Sequence, residues 1–334
     1  MTIHNIDGPT FEDFSHGLAF DAPAVSITAG HAAAYQAMFA DRLRLPLDHH
    51  QATRLLGSAV VHPMLAIHVA IGQSTWASQL VKANLFYRGL TLSRPVLLGD
   101  TLHTVTTVVG LRQNRRQAGR ANTGLVALEM QMCNQRNELV LQAWRCPMIP
   151  CRDNDLESGH ADVLDALGRT DRVSESLALT TAAHNWSQTD TLHWQGLRSR
   201  EQNVGDLYRV TARDTVTSAP ELVRLTLNMA MAHLDAKLSY LGERLVYGGH
   251  VISIAHSQMT RALPNIIAML GWESCDHTAP TVENDRVRSE ISVLEKHPHP
   301  AGALLKLKLE SFAARGMPET ESKVLDWVFW VLSA

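Results

Sequence analysis

Six long stretches of the chain alternate apolar and polar residues: 101–113 (TLHTVTTVVGLRQ), 125–135, 139–149, 286–296, 304–314 and 323–333 (KVLDWVFWVLS). Alternation with period two, rich in β-branched and aromatic residues, predicts half-buried antiparallel strands. The segments between them, RQNRRQAGRANTG, NQRNEL, KHPHPAG and RGMPETE, are polar and turn-rich. Ahead of each strand group runs a mostly apolar stretch, about 63–80 and 249–263, with the character of a buried helix. One helix with several long antiparallel strands predicts an α+β unit, a curved sheet wrapped around a helix.

The pattern occurs twice. His62-Pro63-Met64-Leu65 and Tyr247-Gly248-Gly249-His250 each open a helical stretch, and Asp100 and Asp285 each follow 38 residues after the first residue of that motif. Pro95 and Pro280 each precede that aspartate by five positions, and Phe20 and Tyr208 each follow a glycine, Gly17 or Gly205, by three. The common order of these landmarks argues for two copies of one unit. We expect an N-terminal repeat at 1–150, a connecting segment at 151–200 in which VLDALG forms a helical turn, and a C-terminal repeat at 201–334.

Length and charge narrow the class. The 334 residues suffice for two full cores. With 19% charged residues and a net charge of −3, bulk charge points to neither nucleic acid nor a membrane surface as partner. Four cysteines without a Cys-x-x-Cys pair, a polar start and no apolar run of membrane length lead us to expect a reduced, cytoplasmic protein. No His-Glu-x-x-His, Gly-x-Gly-x-x-Gly or Gly-x-Ser-x-Gly motif occurs, and His297-Pro298-His299-Pro300 reads as a turn, so no metal or cofactor is expected.

The stretches LTLNMAMAHLDA, RLVYGGHVISIAHSQMTRAL, VKANLFYRGLTLSRPVLLGDTL and KVLDWVFWVL resemble the MaoC-like hydratase/dehydratase family, in the double hotdog form that includes mesaconyl-CoA hydratases. The resemblance covers most of the chain and is weakest over about 151–200. It implies a double hotdog fold and a hydro-lyase that adds water to a 2-enoyl-CoA thioester or removes it from the 3-hydroxyacyl form. A branched C4–C5 dicarboxylyl substrate of the mesaconyl type is one expectation. Both halves of a hotdog dimer then lie in one chain, which leaves room for a homodimer. A thioesterase and a non-catalytic acyl-thioester binder are the alternatives, since this scaffold hosts more than one chemistry.

In that family an Asp-x-x-x-x-His pair on or before a short helix works with a glycine whose N–H meets the thioester oxygen. The second copy has Asn228, His233 and Gly248 at these positions, with Asn in place of Asp. Histidine titrates in the range needed for proton transfer near neutrality. Asn228 cannot take a proton, but its amide oxygen can hold a water, or it can simply cap a helix. Asp235, two residues beyond His233, is a candidate to orient the imidazole or to be the missing carboxylate. Gly248, ahead of a helix, offers an N–H and no Cβ. Gly249, His250, Asn84, Phe86 and Tyr87 are candidate substrate contacts, the aromatic pair being equally good core residues.

The first copy reads as degraded. Asp48 stands where His233 stands in the second, with His49 beside it, and Asp41 with Pro46 reads as a stretched remnant of the motif. Pro63 replaces Gly248 and has no N–H to give. We therefore expect the working site in the second copy and a structural role for the first. Arg112, Arg115, Arg116 and Arg120 crowd one hairpin, which reads more readily as a solvated turn than as a phosphate site.

Overall fold

The computed structural model describes residues 2–4, 7–117, 119–155, 157–168 and 202–334. Most of the expected connecting segment, 169–200, lies outside the described residues. Each copy contributes two short strands and four long ones. The first has β1 (Ala19–Asp21), β2 (Val25–Ser26), β3 (Ala83–Leu92), β4 (Thr101–Gln113), β5 (Thr123–Cys133) and β6 (Leu139–Pro150). The second has β7 (Leu207–Arg209), β8 (Asp214–Thr215), β9 (Ile266–His277), β10 (Arg286–His299), β11 (Gly302–Arg315) and β12 (Thr320–Ser333). All six alternating stretches are strands. The two groups share a single antiparallel sheet in the order β1-β4-β5-β6-β3-β9-β12-β11-β10-β7, with β2 on β4 and β8 on β10. The arrangement is the expected α+β double hotdog.

The halves join at β3 and β9, where Tyr87 pairs with Cys275 and Leu90 with Trp272. Backbone approaches closely there: a Cβ on Gly271 would come within 3.0 Å of the Leu90 carbonyl oxygen. The Arg88 guanidinium adds a bridge to Asp276 across the same seam, at 2.6 and 3.0 Å.

Each half wraps its long strands around a central helix, Pro63–Gln73 in the first and Gly248–Ala262 in the second. Pro63 takes the first helical position, where a missing N–H costs nothing, and the His62 imidazole accepts the Met64 N–H at 3.2 Å. Every residue from Met64 to Gln73 and from Gly249 to Thr260 is buried. The matching residues Gln73 and Gln258 both donate to strand carbonyls, Leu102 at 3.1 Å and Val287 at 2.9 Å. The repeated aspartates act alike too: Asp100 accepts the Leu97 N–H and Asp285 the Val282 N–H, closing the same turn in each copy.

Two contacts fasten one central helix to the other half. His68 meets the Ser253 hydroxyl at 2.8 Å, and the buried Asp41 carboxylate meets His256 at 2.6 Å and His62 at 3.3 Å. Asp41 is thus an inter-half tie, and burial that opposes its charge is outweighed by these two imidazoles, which hold its carboxyl well below the usual range. Residues 151–168 are more than a connection. Leu164 is buried beside Leu125, Ala127 and Cys146, and VLDALG contains a turn at 165–168 with no helix. No helix of the described residues is long and apolar enough to cross a membrane.

Candidate active site

The loop after helix Ala219–Leu225 carries the first candidates. It turns through Leu227, whose φ of +57° is left-handed and costly for a branched side chain. The first half holds it in that shape. A Cβ on Gly72 would collide with the Thr226 carbonyl, so only glycine lets this loop rest on the first central helix. The Thr75 hydroxyl accepts the Met229 N–H at 2.8 Å, and Gln79 accepts the Met231 N–H at 3.0 Å.

Asn228 is buried, and its Oδ1 accepts the Ala230 N–H at 2.9 Å. The amide oxygen we expected to hold water is therefore engaged by backbone, and the NH2 group is the side left to a ligand. His233 closes a short 3-10 turn, Met231–His233, and its Nδ1 lies 2.8 Å from the Leu245 carbonyl oxygen. A carbonyl only accepts, so Nδ1 carries the proton and Nε2 keeps its lone pair. Burial pushes the imidazole down to about 4, the nearby positive charge of Arg145 adds to this, and the Leu245 bond opposes it. His233 is neutral at physiological pH.

Gly248 is the first residue of the second central helix, where an N–H has no intrahelical acceptor and the helix dipole is positive. These three residues line one cavity of about 230 Å³ together with Asn84, Tyr87, Arg145, Ser78 and His277. The cavity is shared: Ser78, Asn84, Tyr87 and Arg145 come from the first half, the rest from the second. Asn84 and Tyr87, first-copy residues expected as substrate contacts, thus line the same cavity as the three second-copy candidates. No aspartate or glutamate lines it among the described residues.

Other expected site residues stand elsewhere. Asp235 is exposed and accepts the Lys237 N–H at 2.9 Å, capping a short turn, and does not line the cavity. His250 is buried one turn into the helix with Nε2 2.6 Å from the Thr217 carbonyl. Gly249 makes room for the Tyr247 ring and His68, so its role is packing. Phe86 points to the outer face, against Leu125 and Cys146, with the Arg88 guanidinium 4.9 Å above its ring. None of Arg112, Arg115, Arg116 and Arg120 lines the cavity.

The first copy has a matching hollow, lined by apolar residues apart from Arg94. Leu43 and Pro63 line it where the second copy has Asn228 and Gly248, and Leu92 stands for His277. Asp48 lies outside it, exposed, capping helix His49–Leu56 through the Gln51 N–H at 2.9 Å. His49 is exposed as well.

His277 and Arg145 are among the cavity residues missed from the sequence. His277 ends β9 with its Nε2 buried and unpartnered, and burial followed by repulsion from His233 lowers it to about 4. Arg145 sits in β6 with the same inward parity as the core residues Leu141 and Ala143. A charge at an inward position of an otherwise apolar strand was the available signal.

No protein-family model matches the chain. It is 30% identical over 296 residues to mesaconyl-CoA hydratase of Cereibacter sphaeroides, covering 86% of this chain and 84% of that protein. It is 29% identical over 308 residues to β-methylmalyl-CoA dehydratase of Chloroflexus aurantiacus, covering 89% and 85%. Among solved structures, a conserved Mycobacterium tuberculosis protein with a double hotdog fold is 41% identical, with a TM-score of 0.87 over 98% of this chain and 99% of that one. With the shared scaffold and the His-and-glycine cavity both in place, the chain belongs to the MaoC-like family of double hotdog CoA-thioester hydratases and dehydratases.

Proposed function

We propose that this cavity adds water across the C2=C3 bond of a 2-enoyl-CoA and, in reverse, removes it from the 3-hydroxyacyl thioester. The observation that carries the reading is the His233–Leu245 bond. It fixes the proton on Nδ1 and leaves Nε2 as a neutral base at a cavity that no carboxylate lines among the described residues.

The steps follow from where the groups lie. The thioester oxygen accepts the Gly248 N–H. A water, held by the Asn228 NH2 and by His233 Nε2, bonds through its oxygen to C3 while its proton passes to Nε2. The C2=C3 electron pair moves to the thioester oxygen, giving an enolate that the Gly248 N–H stabilises. The imidazolium returns its proton to C2, so H and OH have been added and His233 is neutral again. A volume of about 230 Å³ is smaller than the roughly 300–1,000 Å³ of sites that enclose drug-sized ligands. It suits the acyl end, with most of the coenzyme outside.

The relatives named for mesaconyl-CoA and β-methylmalyl-CoA motivate a branched C4–C5 dicarboxylyl acyl group as substrate here. A cytoplasmic location fits a CoA-linked substrate and four free cysteines, and a homodimer is open to sizing by light scattering. The test of function is a panel of 2-enoyl-CoA thioesters followed by mass spectrometry. A product heavier by one water supports hydration. Free CoA would identify a thioesterase, and unchanged ligand on a binding protein would overturn the proposal.

A further inference from the structure

The cavity contains a buried positive charge for which the described residues supply no counter-ion. Arg145 is 3% exposed. Its guanidinium donates to the Ser78 hydroxyl and is hydrogen-bonded to Tyr87, and its Nε is buried with no partner. No aspartate or glutamate among the described residues pairs with it, whereas several other guanidiniums on the sheet are matched: Arg88 with Asp276, Arg288 with Glu290 and Glu321, Arg315 with Asp285. Taking a charge out of water costs several kcal/mol unless an opposite charge repays it. A second orphan lies in the same cavity, the buried Oδ1 of Asn84, and a third is His277 Nε2. These are unspent polar atoms around a space of acyl size.

From this geometry we infer that Arg145 binds a carboxylate on the acyl group, so that the site selects dicarboxylyl thioesters over those ending in a methyl group. The inference rests on the cavity being the thioester site, as proposed above. The anion must belong to the acyl end. Arg145 and His233 face the same small cavity, while the phosphates of a CoA thioester are separated from the sulfur by the whole pantetheine arm. A carboxylate also matches the planar fork of a guanidinium, which a neutral acyl end cannot use.

Two pairs of probes, each differing by carboxylate against methyl, test this. The saturated pair, 2-methylsuccinyl-CoA and 2-methylbutyryl-CoA, cannot be hydrated and reports binding by calorimetry. The unsaturated pair, 2-methylfumaryl-CoA and tiglyl-CoA, reports kcat/KM. We expect the carboxylate member of each pair to be preferred by on the order of 10²-fold, the usual scale for a buried charge pair. Arg145→Met should bring both ratios close to one, and Arg145→Lys should keep part of the preference. If Arg145→Met does not fold, the wild-type ratios and Arg145→Lys still decide. Equal binding of the saturated pair by the wild type, or an equal loss on both members in the variant, would overturn the inference. Carboxylate preference without hydration of either unsaturated probe would support the inference and reject the hydratase reading. Hydration without preference would do the reverse.

Discussion

A Cβ atom on Gly248 would lie well under 3.0 Å from Nε2 of His277. The first turn of the second central helix and the last residue of β9 are therefore fitted together with no space for a side chain. That fit sets Gly248 and His277, with its buried Nε2, side by side on the wall of the cavity. Gly248→Ala should push His277 into the space the thioester needs and lower kcat/KM by about 10²-fold, the scale for losing one oxyanion donor. Adding His277→Ala should recover part of that loss. A double variant no better than Gly248→Ala would mean that the steric account is wrong.

His233→Ala should lower kcat by roughly 10²–10⁴-fold with an unchanged melting temperature to within a few degrees. The pH profile is the sharper readout. Because burial holds His233 near 4, kcat/KM should stay level as pH falls through 6.5, the ordinary imidazole value. An acid limb centred near 6.5 would show that a solvated base does the work.

Asn228 is open to a two-way test. Asn228→Ala removes the NH2 proposed to hold the water and the oxygen that accepts the Ala230 N–H, and should slow hydration markedly. Asn228→Asp keeps the cap and restores the carboxylate that the family resemblance implies at this position, and should preserve or raise activity. Turnover by Asn228→Ala equal to that of the parent would remove Asn228 from the mechanism.

Stability should fall on the acid side. His233, His277 and His250 are each held near 4 and His68 near 3 by burial, below the ordinary 6.5. Between those values the unfolded chain binds protons that the folded chain refuses. Each histidine therefore contributes stability that is present above pH 6.5 and lost progressively as pH falls toward 4 and 3. Urea midpoints should drop steeply over this window, and His250→Gln, outside the cavity, should flatten the slope. A midpoint that is constant from pH 7 to 4 would contradict the assigned neutral states.

The first half should affect the rate through the loop it holds. Thr75→Val removes the acceptor of the Met229 N–H and should cost about ten- to a hundredfold in kcat by letting Asn228 and His233 drift. Asp48→Ala, which removes only an exposed helix cap, should cost about 1 kcal/mol of stability and leave kcat within a few-fold. Comparable kinetic losses in the two variants would argue for a second working site.

Much of this molecule was legible in its sequence for identifiable reasons. Strand β4 was predicted to the residue because one face meets the core and the other water, which writes alternation into TLHTVTTVVGLRQ. Strands β3 and β9 were not predicted. They join the halves and, over IIAMLGWESC, are buried on both faces, so the period-two signal is lost. In the proposed site, the resemblance to the MaoC-like family pointed to Asn228, His233 and Gly248, whose motif lies within one copy. Arg145, Ser78 and Thr75 were out of reach of that reasoning, since they belong to the other copy and meet the site only through the fold. Asp235 misled because proximity in sequence to His233 is not proximity in space: the chain turns at Met231–His233 and sends it to solvent.

The apolar hollow of the first copy has a consequence for how the chain tolerates change. Leu43, Pro63 and Leu92 fill the places that Asn228, Gly248 and His277 take in the proposed site of the other copy, so their freedom should be that of any interior packing residue, and exchanges among aliphatic side chains there should be felt as heat sensitivity alone. Their counterparts 185 positions later have no such latitude. A saturation library read for turnover and for melting in parallel would then break the molecule's internal twofold likeness: one fold repeated, with two different sets of forbidden substitutions.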